Sequence, residues 1–409
     1  MRFLFIAPLL AALPGVAHAQ ALTFDEALAH AAANAPSLKA RLLDVDARRS
    51  AATAAGQLPD PRLGVSLENF PVSGPPAFTY TGDSMTMTRV GISQDVPNLA
   101  KRRAARERAT ADIGTSEAQA AVEERRVKVA TALAWIDLAY ATRRLAAIDG
   151  VLARLRELAP AAISGVASGG VRPAQALEVR QAIAGIEDKR SEVAADVERA
   201  RAALARWTGD PDPQIAGDPP EFAIDPAALR AAIERHPDLA AALARTTRAE
   251  ADLTAARAEK RPDWSFDIGY GRRAERYGDM VSAGVTVSLP LFARKRQDPL
   301  IAASAASAGA ARLEQEDMRR ALAADLEAGL ADHVMHHEQW MRARDTLLPL
   351  ARQRADLEIA SYSAGRAALT DLIAVQAAYA DASLTALDRE AVVARDAARL
   401  VLTYGSDNR

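Results

Sequence analysis

The chain has 409 residues, with 51 basic and 53 acidic side chains, a formal charge of −2 and no cysteine. Near-neutrality argues against nucleic acid as a partner, and the lack of thiols excludes a disulfide framework, a thiolate metal site and an acceptor for a lipid anchor. Alanine dominates the 49% hydrophobic content while aromatics reach only 5%, a balance that predicts long, closely packed helices and no thick globular core.

Residues 1–19 hold a basic Arg2, a short apolar stretch and a small-x-small "AHA" before Gln20, the pattern of a cleaved secretory signal. No later stretch is apolar enough to predict a membrane-spanning helix. Thr23 and Glu26 form a capping box that opens a short helix in "LTFDEALAHAAANAPSL", and Pro36 restarts it. Two strands follow at about 62–70 and 85–96, in which Leu63, Val65 and Leu67, then Val90, Ile92 and Val96, alternate with polar residues. A Pro- and Gly-rich loop separates them. After Pro97, about 60 residues without proline predict a helix on the order of 90 Å long, which turns near Ser168–Arg172 and returns. This first hairpin covers about 98–208.

The second half repeats the program. "VGISQDVPNLAKRR" returns as "AGVTVSLPLFARKR", each a strand, a proline and a basic triplet: Lys101, Arg102 and Arg103, then Arg294, Lys295 and Arg296. Pro36 answers Pro237, Pro61 answers Pro262, and Gly170 answers Gly365, at offsets of about 195 to 201. The chain therefore reads as a tandem duplication, with repeats at 20–215 and 216–409. The second repeat holds strands at about 263–272 and 280–290 and a hairpin at about 293–403. Its first strand alternates most clearly, with Trp264, Phe266, Ile268 and Tyr270 on one face against Ser265, Asp267, Gly269 and Gly271. Val285 and Val287 continue the apolar face in the next strand.

Strands of this length with one apolar face fit either a half-buried soluble sheet or a membrane barrel. The flanking helices are too long and thin to cap a soluble sheet. Four strands leave two open edges, and about eight are needed to close a barrel, so the chain is expected to pool strands with copies of itself.

Over essentially its whole mature length the chain resembles the TolC family of outer-membrane channels, in the opening "LTFDEALAHAAANAPSL", in the strand pairs leading into "VPNLAKRR" and "LPLFARKR", and in "SYSAGRAALTDLIAVQAA". The resemblance implies a mostly helical protomer with a small β part, a homotrimer with a twelve-stranded barrel in outer-membrane lipid and a periplasmic helical tunnel, and as partners a periplasmic adaptor and an inner-membrane RND pump. "AAGQLPDPRLGVSLENFP" followed by "MTMTRVGISQDVPNLAKRR" is more similar to channels of heavy-metal efflux systems, for copper and silver or cobalt, zinc and cadmium, than to those for drugs or type I secretion. Some members of that branch carry a lipid-bearing cysteine, absent here, so anchoring falls to the barrel.

The resemblance also places Asp371 at a carboxylate ring on the closed entrance, against the simpler alternative of a solvated helix-face charge. The position three later, often acidic in the family, is Ala374, and the first-repeat counterpart is Ala176. Gly170 and Gly365 are expected at the hairpin tips, with Arg172 and Arg366 beside them as candidate adaptor contacts. The basic triplets are expected near the inner membrane boundary, reaching headgroup phosphates or lining the tunnel mouth. His333 and His337, one turn apart, make at most a weak metal pair and read better as solvated histidines. Met85 and Met87 are expected to share a strand face and suit packing as well as soft-metal binding. No catalytic motif is present, so neither an enzyme nor a cofactor is expected. A periplasmic coiled-coil scaffold would explain the helices but leave the strands without a purpose.

Overall fold

The structure is a computed structural model that describes residues 21–167 and 172–405. In chain order it runs α1 (Phe24–Asn34), α2 (Pro36–Ala54), β1 (Arg62–Glu68), β2 (Met87–Val96), α3 (Leu99–Ala167), α4 (Pro173–Thr208), α5 (Pro226–Ala232), α6 (Pro237–Ala258), β3 (Trp264–Arg272), β4 (Met280–Val287), α7 (Ala293–Arg342), α8 (Leu348–Ser363) and α9 (Leu369–Tyr404). It is mostly helical with one small antiparallel sheet, as expected. The helix α3 alone has 69 residues and continues through Pro160, and α7 contains Pro299 within its first turns. A π-turn at Ala343–Leu347 joins α7 to α8 without breaking the helical path.

The chain divides into two compact units, each drawn from both halves of the sequence. Of the described residues, the first contains 21–35, 126–167, 172–225 and 328–403. Its core is centred on the fully buried Trp135, whose Nε1–H donates to the Leu22 carbonyl at 3.1 Å and whose ring meets Phe24 edge-on at 5.6 Å. Leu22 is held on both sides by the 208–225 loop, donating to Gln214 O at 2.7 Å and accepting from Ala216 N at 3.0 Å. A second cluster, with Leu152, Leu155, Val179, Leu372 and Ile373, knits α3, α4 and α9 together. The capping box at Thr23 and Glu26 is formed in full.

Of the described residues, the second unit contains 36–125, 226–327 and 404–405. Its helices pack on alanine and are laced by ion pairs, among them Arg49 with Glu117 at 2.7 Å, Arg312 with Glu250 at 2.6 Å and Lys260 with Asp298 at 2.5 Å. Small side chains let helices approach closely while long charged ones bridge over them. The sheet belongs to this unit, in the order β1-β2-β3-β4, all antiparallel. The edges of β1 and β4 have no strand beside them among the described residues.

Candidate functional site

The strand register aligns the apolar residues into continuous rows. Leu63, Ile92, Ile268 and Ala283 form one row, and Val65, Val90, Tyr270 and Val281 the next. Phe266 pairs with Val285, and Trp264 with both Val96 and Val287. These side chains have nothing over them: Ile268 is 57% exposed, Val65 70% and Val285 59%. Of the six strand residues singled out by alternation, Trp264, Phe266, Ile268, Tyr270 and Val285 are exposed, while Val287 at the strand end is half-buried. A water-facing sheet would not leave so wide an apolar face bare.

The opposite face is polar and laced by ion pairs. Arg89 reaches across three strands, with Nη2 2.9 Å from Asp267 and Nη1 3.4 Å from Glu68. Arg62 pairs with Asp95 at 2.6 Å. Sequence alternation marked Gly269 and Gly271 as polar-face positions without giving them a purpose. In the sheet a Cβ on Gly269 would collide with the Arg89 guanidinium, one on Gly271 with Met87, and one on Gly284 with Asp267. These glycines are the space into which the polar-face side chains lie.

Where the sheet meets the helices, Asn98 caps α3 by accepting from Lys101 N at 2.9 Å. Its backbone N–H and side-chain amide both donate to Asp263 Oδ1 at 2.9 Å. Lys101 completes the node, 2.6 Å from Asp263 and 2.8 Å from Glu259. Partial burial opposes both charges, but the mutual hydrogen bonds outweigh it, so Asp263 titrates below and Lys101 above the ordinary value. The two basic triplets are therefore not equivalent. Lys101 is spent on this node and Arg102 on the Gly56 carbonyl at 2.9 Å, leaving Arg103 exposed, whereas Arg294, Lys295 and Arg296 are all exposed. The difference is tertiary: a carboxylate stands beside the first triplet.

In the first unit, α8 ends in a Schellman motif. Gly365 takes φ +71, its N–H bonds to Tyr362 O at 2.9 Å, and Arg366 N–H bonds to Ser361 O at 2.9 Å. Arg366 is exposed, and Asp371 lies exposed in the first turn of α9 on a stripe with Ala374 and Asp381. Asp381 pairs with Lys189 at 2.6 Å, whereas Asp371 has no ion-pair partner among the described residues. Gly170 lies outside the described residues. Arg172 is exposed and precedes α4, where its backbone N–H donates to the Gln175 side chain at 3.1 Å.

The histidines correct the sequence reading in part. His333 is half-buried, its Nδ1 has no hydrogen-bond partner, and burial lowers its pKa. His337 is exposed, with ring centroids 6.1 Å apart, and His336 turns to Asp396 at 2.7 Å. His333 and His337 border a cleft of about 790 Å³ with Trp340, Tyr140 and Glu390. Among the described residues no group of three or more potential ligands surrounds a point where a metal ion would sit. Met85 and Met87 do not share a face: β2 begins at Met87, which is buried, and Met85 lies exposed before it. No described helix is long and apolar enough to cross a membrane.

Residues 228–406 match the family described as "Outer membrane efflux protein". The chain is 25% identical over 364 residues to the cobalt-zinc-cadmium resistance protein CzcC of Cupriavidus metallidurans, covering 87% of this chain and 83% of that one. Its fold is similar to the CusC channel, with a TM-score of 0.78 at 15% identity over 94% of this chain and 92% of that one. The Campylobacter jejuni CmeC outer membrane channel gives a TM-score of 0.79 at 13% identity over 93% and 85%. The family match thus covers the second half of the chain, and the fold along its length is that of these channel structures.

Proposed function

We propose that three copies of the chain pair their β1 and β4 edges into a twelve-stranded barrel in the outer membrane, continued by a periplasmic tunnel of the helices. The observation that carries this reading is the sheet, whose apolar rows face nothing and whose two edges lack neighbours. Lipid satisfies the first and partner strands the second, and no arrangement of one protomer satisfies both. The repeats at 20–215 and 216–409 then each contribute one strand pair and one hairpin. Conduction is passive, with energy supplied by an inner-membrane RND pump coupled through a periplasmic adaptor.

The hairpin ends carry the docking and gating roles. Gly365 allows its hairpin tip to turn tightly, and Arg172 and Arg366 contact the adaptor. Asp371, exposed and unpaired, supplies one carboxylate of a three-fold ring that admits cations and repels anions. The cargo is heavy-metal cations, a reading supported by the similarity to a cobalt-zinc-cadmium resistance protein over most of the chain.

Tolerance of a deletion strain to copper, silver, zinc, cobalt and cadmium salts, beside a panel of dyes and antibiotics, tests the cargo. Sensitivity confined to particular metals is expected. Sensitivity confined to organic compounds would instead assign the channel to drug efflux. Barrel formation is tested separately by Ile268→Lys, which costs about 2–4 kcal/mol at a bilayer midplane and is expected to abolish the heat-modifiable trimer.

A further inference from the structure

All four helices adjoining the sheet, α2, α3, α6 and α7, join the strand ends at Arg62, Val96, Trp264 and Val287. Glu68, Met87, Arg272 and Met280 therefore mark the opposite rim, which carries loops and one short 3₁₀ turn at Glu275–Tyr277. Three arginines gather there with no carboxylate within ion-pair distance among the described residues: Arg272, Arg273 and Arg276. Elsewhere in the same unit Arg62, Arg89, Arg230, Arg248 and Arg312 each face one.

The rim arginines are positioned by backbone carbonyls, and the single Asp279 carboxylate near Arg272 and Arg273 offsets only part of their charge. Arg273 donates to Ser84 O at 3.0 Å, Gly278 O at 2.7 Å and Tyr277 O at 2.5 Å. Arg276 donates to the Thr81 carbonyl and lies over the Tyr277 ring at 4.7 Å. Carbonyl oxygens orient a guanidinium but leave its charge intact. Arg272 is exposed, and its pairing with Thr88 places it on the apolar face, next to the Val90–Tyr270 row.

These side chains line a cleft of about 790 Å³ whose floor includes Thr88, Val90 and Tyr270 from the apolar face. Tyr80 closes one side, its hydroxyl donating to Arg272 O at 2.6 Å. Glu275 is the one carboxylate in the lining, against three guanidiniums. Nearby Asp279 is already engaged by the Tyr270 hydroxyl and Arg273 N.

We propose that this cleft binds the phosphate group of an anionic, multiply acylated lipid of the outer leaflet, whose chains lie along Val90, Ile92 and Ile268. Guanidiniums match phosphate oxygens in planar, bidentate geometry, and the low-dielectric boundary strengthens the attraction. Tyrosines at the same level belong to the aromatic girdle of a membrane barrel. The inference rests on the apolar face being the lipid face of the assembled barrel.

The test uses the purified trimer in zwitterionic nanodiscs, with native mass spectrometry and thermal dissociation as readouts. Probes are diphosphoryl lipid A, its dephosphorylated form and inorganic phosphate. Diphosphoryl lipid A is expected to bind and raise the dissociation temperature, and R272A/R276A to weaken that binding about tenfold or more while the trimer still forms. R272A alone, which leaves the Thr81 contact in place, is expected to fall between the two. Equal binding of the dephosphorylated lipid, an unaffected double variant, or the same shift from inorganic phosphate alone would each overturn the proposal. Failure of the barrel reading shows separately, as loss of the trimer in the unsubstituted protein.

Discussion

Lys101 Nζ sits 2.6 Å from Asp263 Oδ2, joining the first turn of α3 to the residue that precedes β3, 162 positions later. With Asn98 donating twice to the same carboxylate, this node fixes where a strand ends and a helix begins. Asp263→Ala leaves Lys101 with Glu259 alone and takes from Asn98 the acceptor of two hydrogen bonds, and is expected to cost about 1–3 kcal/mol. Because the folded-state pKa of Asp263 is lowered, its contribution is present above the ordinary carboxylate value, about 4, and is lost as pH falls through the lower folded value. Lys101, raised, contributes below about 10.4 and loses its contribution as pH climbs through its folded value. Thermal melts from pH 2 to 8 should therefore show an acid limb that Asp263→Asn reduces.

The space that a Cβ on Gly269 would need is occupied by the Arg89 guanidinium. Gly269→Val drives the guanidinium off Asp267 and is expected to destabilise the sheet by about 1–3 kcal/mol. Trimer yield after detergent extraction reads this out. Gly64→Val, on the same row but with nothing within 4 Å of its Cβ, is expected to leave the yield unchanged.

Gly365 holds φ +71 with open space around it, so the cost of a side chain there is conformational and not steric. Gly365→Ala is expected to lose about 1–2 kcal/mol. Faster amide exchange at Gly365 and Arg366, with the cores of α8 and α9 unchanged, would confirm that the Schellman bonds alone are affected.

Trp135 combines volume with a hydrogen bond, and two substitutions separate them. Trp135→Ala opens a cavity against Phe24 and is expected to cost about 3–5 kcal/mol. Trp135→Phe should cost only about 0.5–1.5 kcal/mol, since Leu22 O keeps the Ala216 N–H when the indole is gone. Denaturant unfolding of the two variants gives the ratio.

His333 is held neutral first by burial, while Asp396 pulls in the other direction and His337 and His336 add to the lowering. A lowered histidine pKa means the unfolded chain takes up the proton more readily. Stability should therefore rise with pH through the window below about 6.5. Comparing melting temperatures at pH 5.5 and 7.5 is expected to show this rise, and His333→Asn to flatten it.

The sequence by itself determined what depends on local chemistry. Period-two alternation from Trp264 to Tyr270, the capping box at Thr23, the glycine that ends α8 and the long proline-poor run after Pro97 each encode an element through neighbours a few residues apart. The apolar face of the sheet was legible for the same reason, since a strand exposes alternate residues whatever surrounds it. Tertiary structure decided which apparently equal residues do different work. Lys101 and Arg294 occupy the same place in the repeated phrase, yet only the first finds a carboxylate. Met85 and Met87 read as one pattern until the start of β2 separated them, and His333 became half-buried by packing that its helix alone does not reveal. The arginines at 272, 273 and 276 are unremarkable in sequence, because their lack of carboxylate partners is a property of what folds around them.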